Sequence, residues 1–244
     1  MKKNILISLA ITLSSLALSA STNISSTQLS EIKENYSKLL KSPGLTIKKG
    51  VDYGKFKQIE ISAKTKRGTQ TFNAFVVKGA DNVLFFGKAY NKNGTAYELP
   101  VNEKLIKSGV AFTMGSGSEN IYIVSDPECP WCQKLETEMS DSARKKYTIN
   151  MIPMPLAMHK NSRAIMYWVL SGKTNIEKSD RLHNYMTKKD RESWKSFKPS
   201  HEEKEKFDKI LDLSQTAANE LGVRGTPSIY NSEMKKLSFK ALVK

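Results

Sequence analysis

The chain of 244 residues has few of the residues that build metal sites and disulfide scaffolds: two cysteines and three histidines. Structural zinc needs four ligands, and there is no second cysteine pair. His159, His183 and His201 are scattered, with no paired spacing to make up the deficit. Covalent haem needs a histidine directly after the second cysteine, and position 133 is Gln. No metal and no organic cofactor is therefore expected. Beyond the N-terminus no stretch is apolar enough for long enough to span a bilayer. Acidic residues are also short, 24 against 39 Lys and Arg, which leaves a formal charge of +15. Such a surface can attract nucleic acid or anionic lipid. Here the lysines are spread along the chain and mixed with Glu. Lys145-Lys146, Lys188-Lys189 and Lys235-Lys236 are isolated doublets. They read as solvated faces, and no nucleic-acid partner is expected.

What is present is concentrated in ten residues, Ser125-Asp126-Pro127-Glu128-Cys129-Pro130-Trp131-Cys132-Gln133-Lys134, which hold both cysteines. The preceding Asn120-Ile121-Tyr122-Ile123-Val124 is β-branched and aromatic and predicts a buried strand. Trp131, Leu135 and Met139 fall four apart and predict one stripe of a helix. Cys129 then lies where strand meets helix, and Pro130 suits the first helical turn. A thiol there meets unpaired backbone N–H groups and the positive end of the helix dipole. Both favour the thiolate, the nucleophile of disulfide exchange. Cys132 lies one turn deeper and can close a disulfide onto Cys129. A disulfide of such short span constrains the unfolded chain little, so it is a weak staple. Redox chemistry is the stronger reading.

The N-terminus reads as a secretory signal over residues 1–20. Lys2 and Lys3 open it, Ile5 to Leu18 are apolar or small, and Leu18-Ser19-Ala20 offers a cleavage site. The remaining chain is expected to work outside the cytoplasm, where disulfides persist. It is long for one domain. Thr27 to Lys41 predicts an amphipathic helix, stopped by Pro43-Gly44. From Leu45 to about Leu99, β-rich runs at Lys55–Ala63, Thr71–Lys78, Val83–Gly87 and Ala96–Leu99 alternate with turns at 66–68, 79–82 and 91–94. This segment holds no acid pair, thiol or histidine, so binding or dimerisation is expected of it. Val101 to about Phe112 reads as a connecting helix, and Met114-Gly115-Ser116-Gly117-Ser118 as a flexible break.

A second strand is predicted at Tyr147–Ile152, then helices around Ile165 to Val169 and Leu182 to Met186. A long helix follows, opened by a capping box at Ser200 and Glu203 and closed by Gly222. The loop Val223-Arg224-Gly225-Thr226-Pro227 enters a last strand. Cys132 and Thr226 are 94 positions apart. A βαβ unit needs only about 30 residues, so helices are inserted between them.

These stretches resemble the thioredoxin superfamily, and more closely the periplasmic disulfide isomerases of the DsbC/DsbG family. The likeness rests on residues 125–132, on Pro153-Met154-Pro155-Leu156-Ala157-Met158-His159, on Asn161-Ser162-Arg163-Ala164, and on Gly222 to Pro227. It implies an α+β fold in parts. Residues 21–99 would form a small β-rich, cystatin-like dimerisation domain, and 100–118 a linker helix and hinge. Residues 119–244 would form a thioredoxin-like catalytic domain with a helical insertion at about 157–200. It implies that Cys129 attacks and Cys132 resolves, with Pro130 and Trp131 tuning the pair. Thr226 and a cis Pro227 would face the dithiol and receive client backbone. It implies a homodimer, misfolded disulfide-containing secreted proteins as clients, and a membrane thiol reductase as electron donor. Two other readings use the same chain: a dithiol oxidase, and a folding chaperone or binding module with secondary redox activity. Pro130-Trp131 departs from the Gly-Tyr or Pro-Tyr more usual in the family's isomerases. The 17 residues after Pro227 leave room for a hairpin but scarcely for a terminal helix.

Overall fold

The computed structural model describes residues 21–65, 68–79 and 83–243. The signal expected at 1–20 lies outside the described residues, as do the centres of the turns expected at 66–68 and 79–82. The chain divides into two compact units between Pro100 and Val101. Among the described residues, no helix is long and apolar enough to cross a membrane.

The first unit starts with β1 (Thr22–Asn23), α1 (Ser26–Asn35) and α2 (Ser37–Leu40). Ser25 and Gln28 cap α1 reciprocally, each accepting from the other's backbone N–H. The single helix expected over 27–41 is interrupted at Tyr36, whose backbone leaves helical geometry at ψ 35°. Then come β2 (Leu45–Asp52), β3 (Phe56–Thr65), β4 (Gly68–Val77) and β5 (Leu84–Phe86), in an antiparallel sheet ordered β1-β2-β3-β4-β5. Strand alternation gives the sheet two covered faces. Ile59, Ile61, Ala74 and Val76 pack with Ile32 and Leu40 from the helices. On the other face Phe56, Phe75 and Phe85 join Tyr53 and Tyr97 in a chain of ring contacts. Tyr97 belongs to the run expected as a strand at Ala96–Leu99. That run makes one isolated bridge, Tyr90 to Ala96, because its residues lie over the aromatic face instead of extending the sheet. Tyr53 donates to Glu98 O and holds it there.

The second unit contains α3 (Glu103–Ser108), β6 (Phe112–Met114), β7 (Glu119–Ser125), α4 (Pro130–Glu138), α5 (Asp141–Lys146) and β8 (Tyr147–Pro153). After these come α6 (Ser162–Leu170), α7 (Asn175–Met186), α8 (Ser193–Ser196), α9 (His201–Glu220), β9 (Ser228–Asn231) and β10 (Lys236–Leu237). A 3₁₀ turn at Phe239–Ala241 follows the last strand. The sheet order is β10-β9-β7-β8-β6. β7 and β8 are parallel, as a helical crossover requires, and every other pair is antiparallel. Central β7 is buried on both faces, which is why it reads as an almost unbroken apolar run. Ile121 and Ile123 face Cys132, Leu135 and Ile165. Tyr122 and Val124 face Ile106, Ala217 and Ala218. The inserted helices α6 and α7 complete the first of these cores with Met166, Leu182 and Met186. The capping box of α9 forms as read: Ser200 Oγ accepts from Glu203 N, and Glu203 Oε2 from Ser200 N.

The segment expected as a linker helix and hinge at 100–118 contains the helix α3 and the strand β6, and from Val101 on it lies in the second unit. The segment is part of the second unit's core. Ile106 of α3 is fully buried, and Phe112 to Met114 pair with β8. A Cβ on Gly109 would stand 2.3 Å from Ala217 Cβ, and one on Gly117 would stand 2.1 Å from the Lys146 backbone. These glycines serve close packing rather than flexibility.

Candidate active site

β7 ends at Ser125, and a three-residue loop leads to Cys129, the N-cap of α4. Pro130 takes the first helical position, where its missing N–H costs nothing. Gln133 N donates to Cys129 O at 3.0 Å and closes the first turn. Gln133 Nε2 donates back to Pro127 O at 2.7 Å, and Arg191 holds the Gln133 Oε1 at 3.0 Å. The loop before the dithiol is thus tied to the helix after it.

Both cysteines are free thiols. Cys129 Sγ donates to Thr226 O at 3.3 Å, so the loop before β9 lies directly against the first thiol. The Thr226–Pro227 bond is cis. Cys132 is the more buried, and Asp126 N donates to its sulfur at 3.5 Å. Burial pushes the Cys132 thiol up to about 12. The Asp126 N–H and the Ser125 and Thr226 hydroxyls pull the other way, and charge on Cys129 would add to the rise. Trp131 is 61% exposed beside the dithiol, with Lys134 Nζ 5.3 Å from its ring centroid.

The first thiol therefore meets the loop at the Thr226 carbonyl, next to the cis bond to Pro227. Sequence reasoning missed the acidic platform behind them. Asp126 is fully buried. Its carboxylate accepts from Glu128 N at 2.8 Å, Leu156 N at 2.6 Å and Ser162 Oγ at 2.7 Å. His159 Nδ1 lies 3.1 Å from it, without the alignment of a hydrogen bond. Glu128 accepts from Asn161 N at 2.8 Å and Asn161 Nδ2 at 3.0 Å. Ser162 Oγ also lies 3.2 Å from Glu128 Oε2, so one hydroxyl proton serves two carboxylates in turn. These bonds fasten the 154–162 segment to the residues preceding Cys129. The signal was present: two acids within three residues of a cysteine, and an Asn-Ser pair opening a helix. Met158, on the same segment, is 79% exposed. Among the described residues no group of three or more His, Cys, Asp or Glu is placed to hold a metal ion.

A parallel βαβ crossover, a thiol pair at its helix N-terminus and a Thr-Pro loop against the first thiol define a dithiol protein of thioredoxin fold. A family model described as a thioredoxin-like domain matches residues 111–233, and the chain belongs to that family. No curated protein sequence matches it. Among solved structures it is similar to the catalytic domain of Proteus mirabilis ScsC, at 14% identity and a TM-score of 0.40, over 57% of this chain and 89% of that one. It is also similar to a disulfide interchange protein from Neisseria gonorrhoeae, at 21% identity and a TM-score of 0.37, over 51% and 80%. A third is the thiol-disulfide exchange protein alpha-DsbA2 from Wolbachia pipientis, at 14% and 0.41, over 57% and 92%. Similarities this distant carry no argument about function.

Proposed function

We propose that this protein is a thiol–disulfide oxidoreductase that isomerises or reduces incorrect disulfides in secreted proteins, working in the periplasm in the manner of the DsbC/DsbG family. The observation that carries the reading is the unequal pair: Cys129 at the helix N-cap against the Thr226 carbonyl, and Cys132 sealed beneath it. Cys129 attacks a client disulfide and forms a mixed disulfide, and the client's freed sulfur leaves as a thiolate. That thiolate attacks another client sulfur, and the new pairing in turn releases Cys129. If release stalls, Cys132 attacks Cys129, and the client leaves reduced. Isomerisation needs this escape to be slower than client rearrangement. Burial holds the proton on the resolving thiol and so slows its attack on Cys129, as the slow escape of an isomerase requires. A membrane thiol reductase would keep the pair reduced.

The first unit would pair two copies, setting two dithiols on one client at high effective concentration. Its edge strand β5 exposes Phe85 and Phe86, apolar area suited to a partner surface. Trapping the state of Cys129 and Cys132 in living cells with an alkylating agent tests the function. A mostly reduced pair supports the isomerase, and a mostly oxidised pair replaces it with a dithiol oxidase. Light scattering tests the dimer, and a mass near one chain refutes it.

A further inference from the structure

Gln133, the residue after Cys132, holds the dithiol loop with two groups. Its backbone N–H donates to Cys129 O at 3.0 Å, and its side-chain Nε2 donates to Pro127 O at 2.7 Å. Pro127 is buried, so water is a poor substitute for the second bond. A side-chain amide has two ends of nearly equal shape, an oxygen that accepts and an NH₂ that donates. Turned over, Gln133 would set its oxygen against the Pro127 carbonyl, and the bond would be lost. Arg191 fixes which end faces the loop. Its Nη2 donates to Gln133 Oε1 at 3.0 Å. A guanidinium carries donors only, so the amide end beside it is the oxygen, and the NH₂ is left for Pro127. A charged donor also polarises the amide and strengthens the bond on its far side.

Arg191 lies in the helical insertion, between α7 and α8, and is itself held from three sides. Asp190 Oδ1 accepts from Glu192 N at 3.1 Å and from Ser193 N at 3.0 Å, which sets the turn into α8. Trp194 Nε1 donates to Arg191 O at 2.9 Å. The guanidinium lies over the ring of buried Tyr185, 4.4 Å from its centroid. Arg191 is half-buried, and among the described residues no carboxylate forms an ion pair with it. Its directed bond goes to a neutral amide instead. We propose that Arg191 is a positioning residue of the dithiol: it orients the Gln133 amide, the amide holds the Pro127 carbonyl, and Cys129 is thereby kept in place at the N-cap of α4. The inference rests on the thiol–disulfide reading above and concerns its first step. Cys129 gives up its proton and its sulfur attacks one sulfur of a disulfide. The new S–S bond forms and the old one breaks. The electron pair of the broken bond leaves on the second sulfur, which takes up a proton. Attack needs the Cys129 sulfur aligned with the disulfide, and a loop free to rock would hold it there only part of the time. The insertion thus belongs to the working parts of the active site as well as to the core.

The test uses the reduced full-length chain and oxidised glutathione, with acid quenching and mass analysis to time the mixed disulfide. Arg191→Met keeps the stem and removes the donors, Arg191→Lys keeps a charged group with donors only, and Gln133→Leu removes the amide. Formation of the mixed disulfide should slow about tenfold in Arg191→Met, the loss that follows removal of one hydrogen bond from a charged group. Gln133→Leu should slow it at least as much, and carries the test alone if Arg191→Met does not fold. The double variant should be no slower than Gln133→Leu, because both residues act on one contact. Arg191→Lys should recover most of the loss. A wild-type rate in Arg191→Met or in Gln133→Leu would overturn the proposal. So would losses that multiply in the double variant, which would mean that the two residues act separately. An Arg191→Lys chain as slow as Arg191→Met would also overturn it, assigning the effect to packing on Tyr185. A wild-type chain that forms no mixed disulfide at all overturns the proposed function, whereas one that reacts alongside equally fast variants overturns the role of Arg191 alone.

Discussion

Replacing Asp126 with Ala tests whether the buried carboxylate is the anchor of the dithiol loop. Its carboxylate accepts three hydrogen bonds and nothing else buried stands ready to replace it. Ser162 can turn to Glu128 Oε2, 3.2 Å away, so that hydroxyl is not stranded. The Glu128 and Leu156 N–H groups have no such alternative, and each costs about 1–3 kcal/mol when left unpaired. Both residues are only partly buried, so water recovers some of this. A net loss of about 3 kcal/mol follows. For a unit of this size that lowers the melting temperature by about 6–12 °C. Asp126→Asn should lose about half as much, because its oxygen keeps one set of donors while its NH₂ faces the Leu156 N–H. The chain has two units, so a single melting curve would mix them. Its three tryptophans, Trp131, Trp168 and Trp194, all belong to the second unit, so tryptophan fluorescence follows that unit alone. A loss below about 1 kcal/mol, within the range of an ordinary surface substitution, would refute the anchor.

Cys129→Ser should abolish exchange, whereas Cys132→Ser should accumulate mixed disulfides visible on non-reducing gels; clean turnover in either variant reverses the assignment of roles. Alkylation at pH 7 followed by mass analysis should label Cys129 far faster than Cys132, whose thiol is pushed up to about 12 by burial, and Cys132 labelling should rise about tenfold per pH unit in the alkaline range. The same shift makes stability pH-dependent with a definite sign. The folded chain holds the Cys132 proton more tightly than the unfolded chain, so between its ordinary thiol value of 9.0 and about 12 the reduced protein should lose more stability than the oxidised protein, in which only other groups such as the buried tyrosines titrate. Asp208 is held at about 2 by the Tyr167 hydroxyl and by Arg163 and Lys204, so Asp208→Asn should remove a stabilisation that the wild type has above its ordinary value of 3.8 and loses as pH falls toward 2. Melting curves over that range should converge, and parallel curves would refute the assignment.

Much of the second unit was legible because its elements carry strong local signals. The apolar run before Cys129 is a strand because both its faces are covered, and the Ser200 and Glu203 capping box starts a helix at the expected residue. Errors arose where tertiary contacts override local pattern. Gly115 and Gly117 look like a hinge in sequence, but the backbone at Lys146 and Tyr147 crosses so close to them that a side chain would not fit. Strand β2 went unread because a register shift between Ile47 and Lys49 breaks its alternation and puts two consecutive lysines within it. Of the site, the cysteines and the Thr226-Pro227 loop stood out by type. Asp126, Glu128 and Ser162 did not, because acids and serines are common. Only the fold shows that 36 positions of separation bring Ser162 onto Asp126.

Both faces of the first unit's sheet carry packed side chains among the described residues. Helices α1 and α2 lie over one side, and the run carrying Tyr97 lies over the other. If two copies pair through this unit as proposed, stacking sheet against sheet would strip off one of these coverings. Approach in the plane of the strands would meet one of two short edges, β1 of two residues or β5 of three, each offering few backbone groups. Backbone pairing over so short an edge would be too little to hold two chains, so at β5 most of the adhesion of the proposed dimer would come from the side chains of Phe85 and Phe86. Such a joint would act as an axle more than a weld. Its few hydrogen bonds would fix the direction of approach, while its aromatic contact would let the angle between the two copies change.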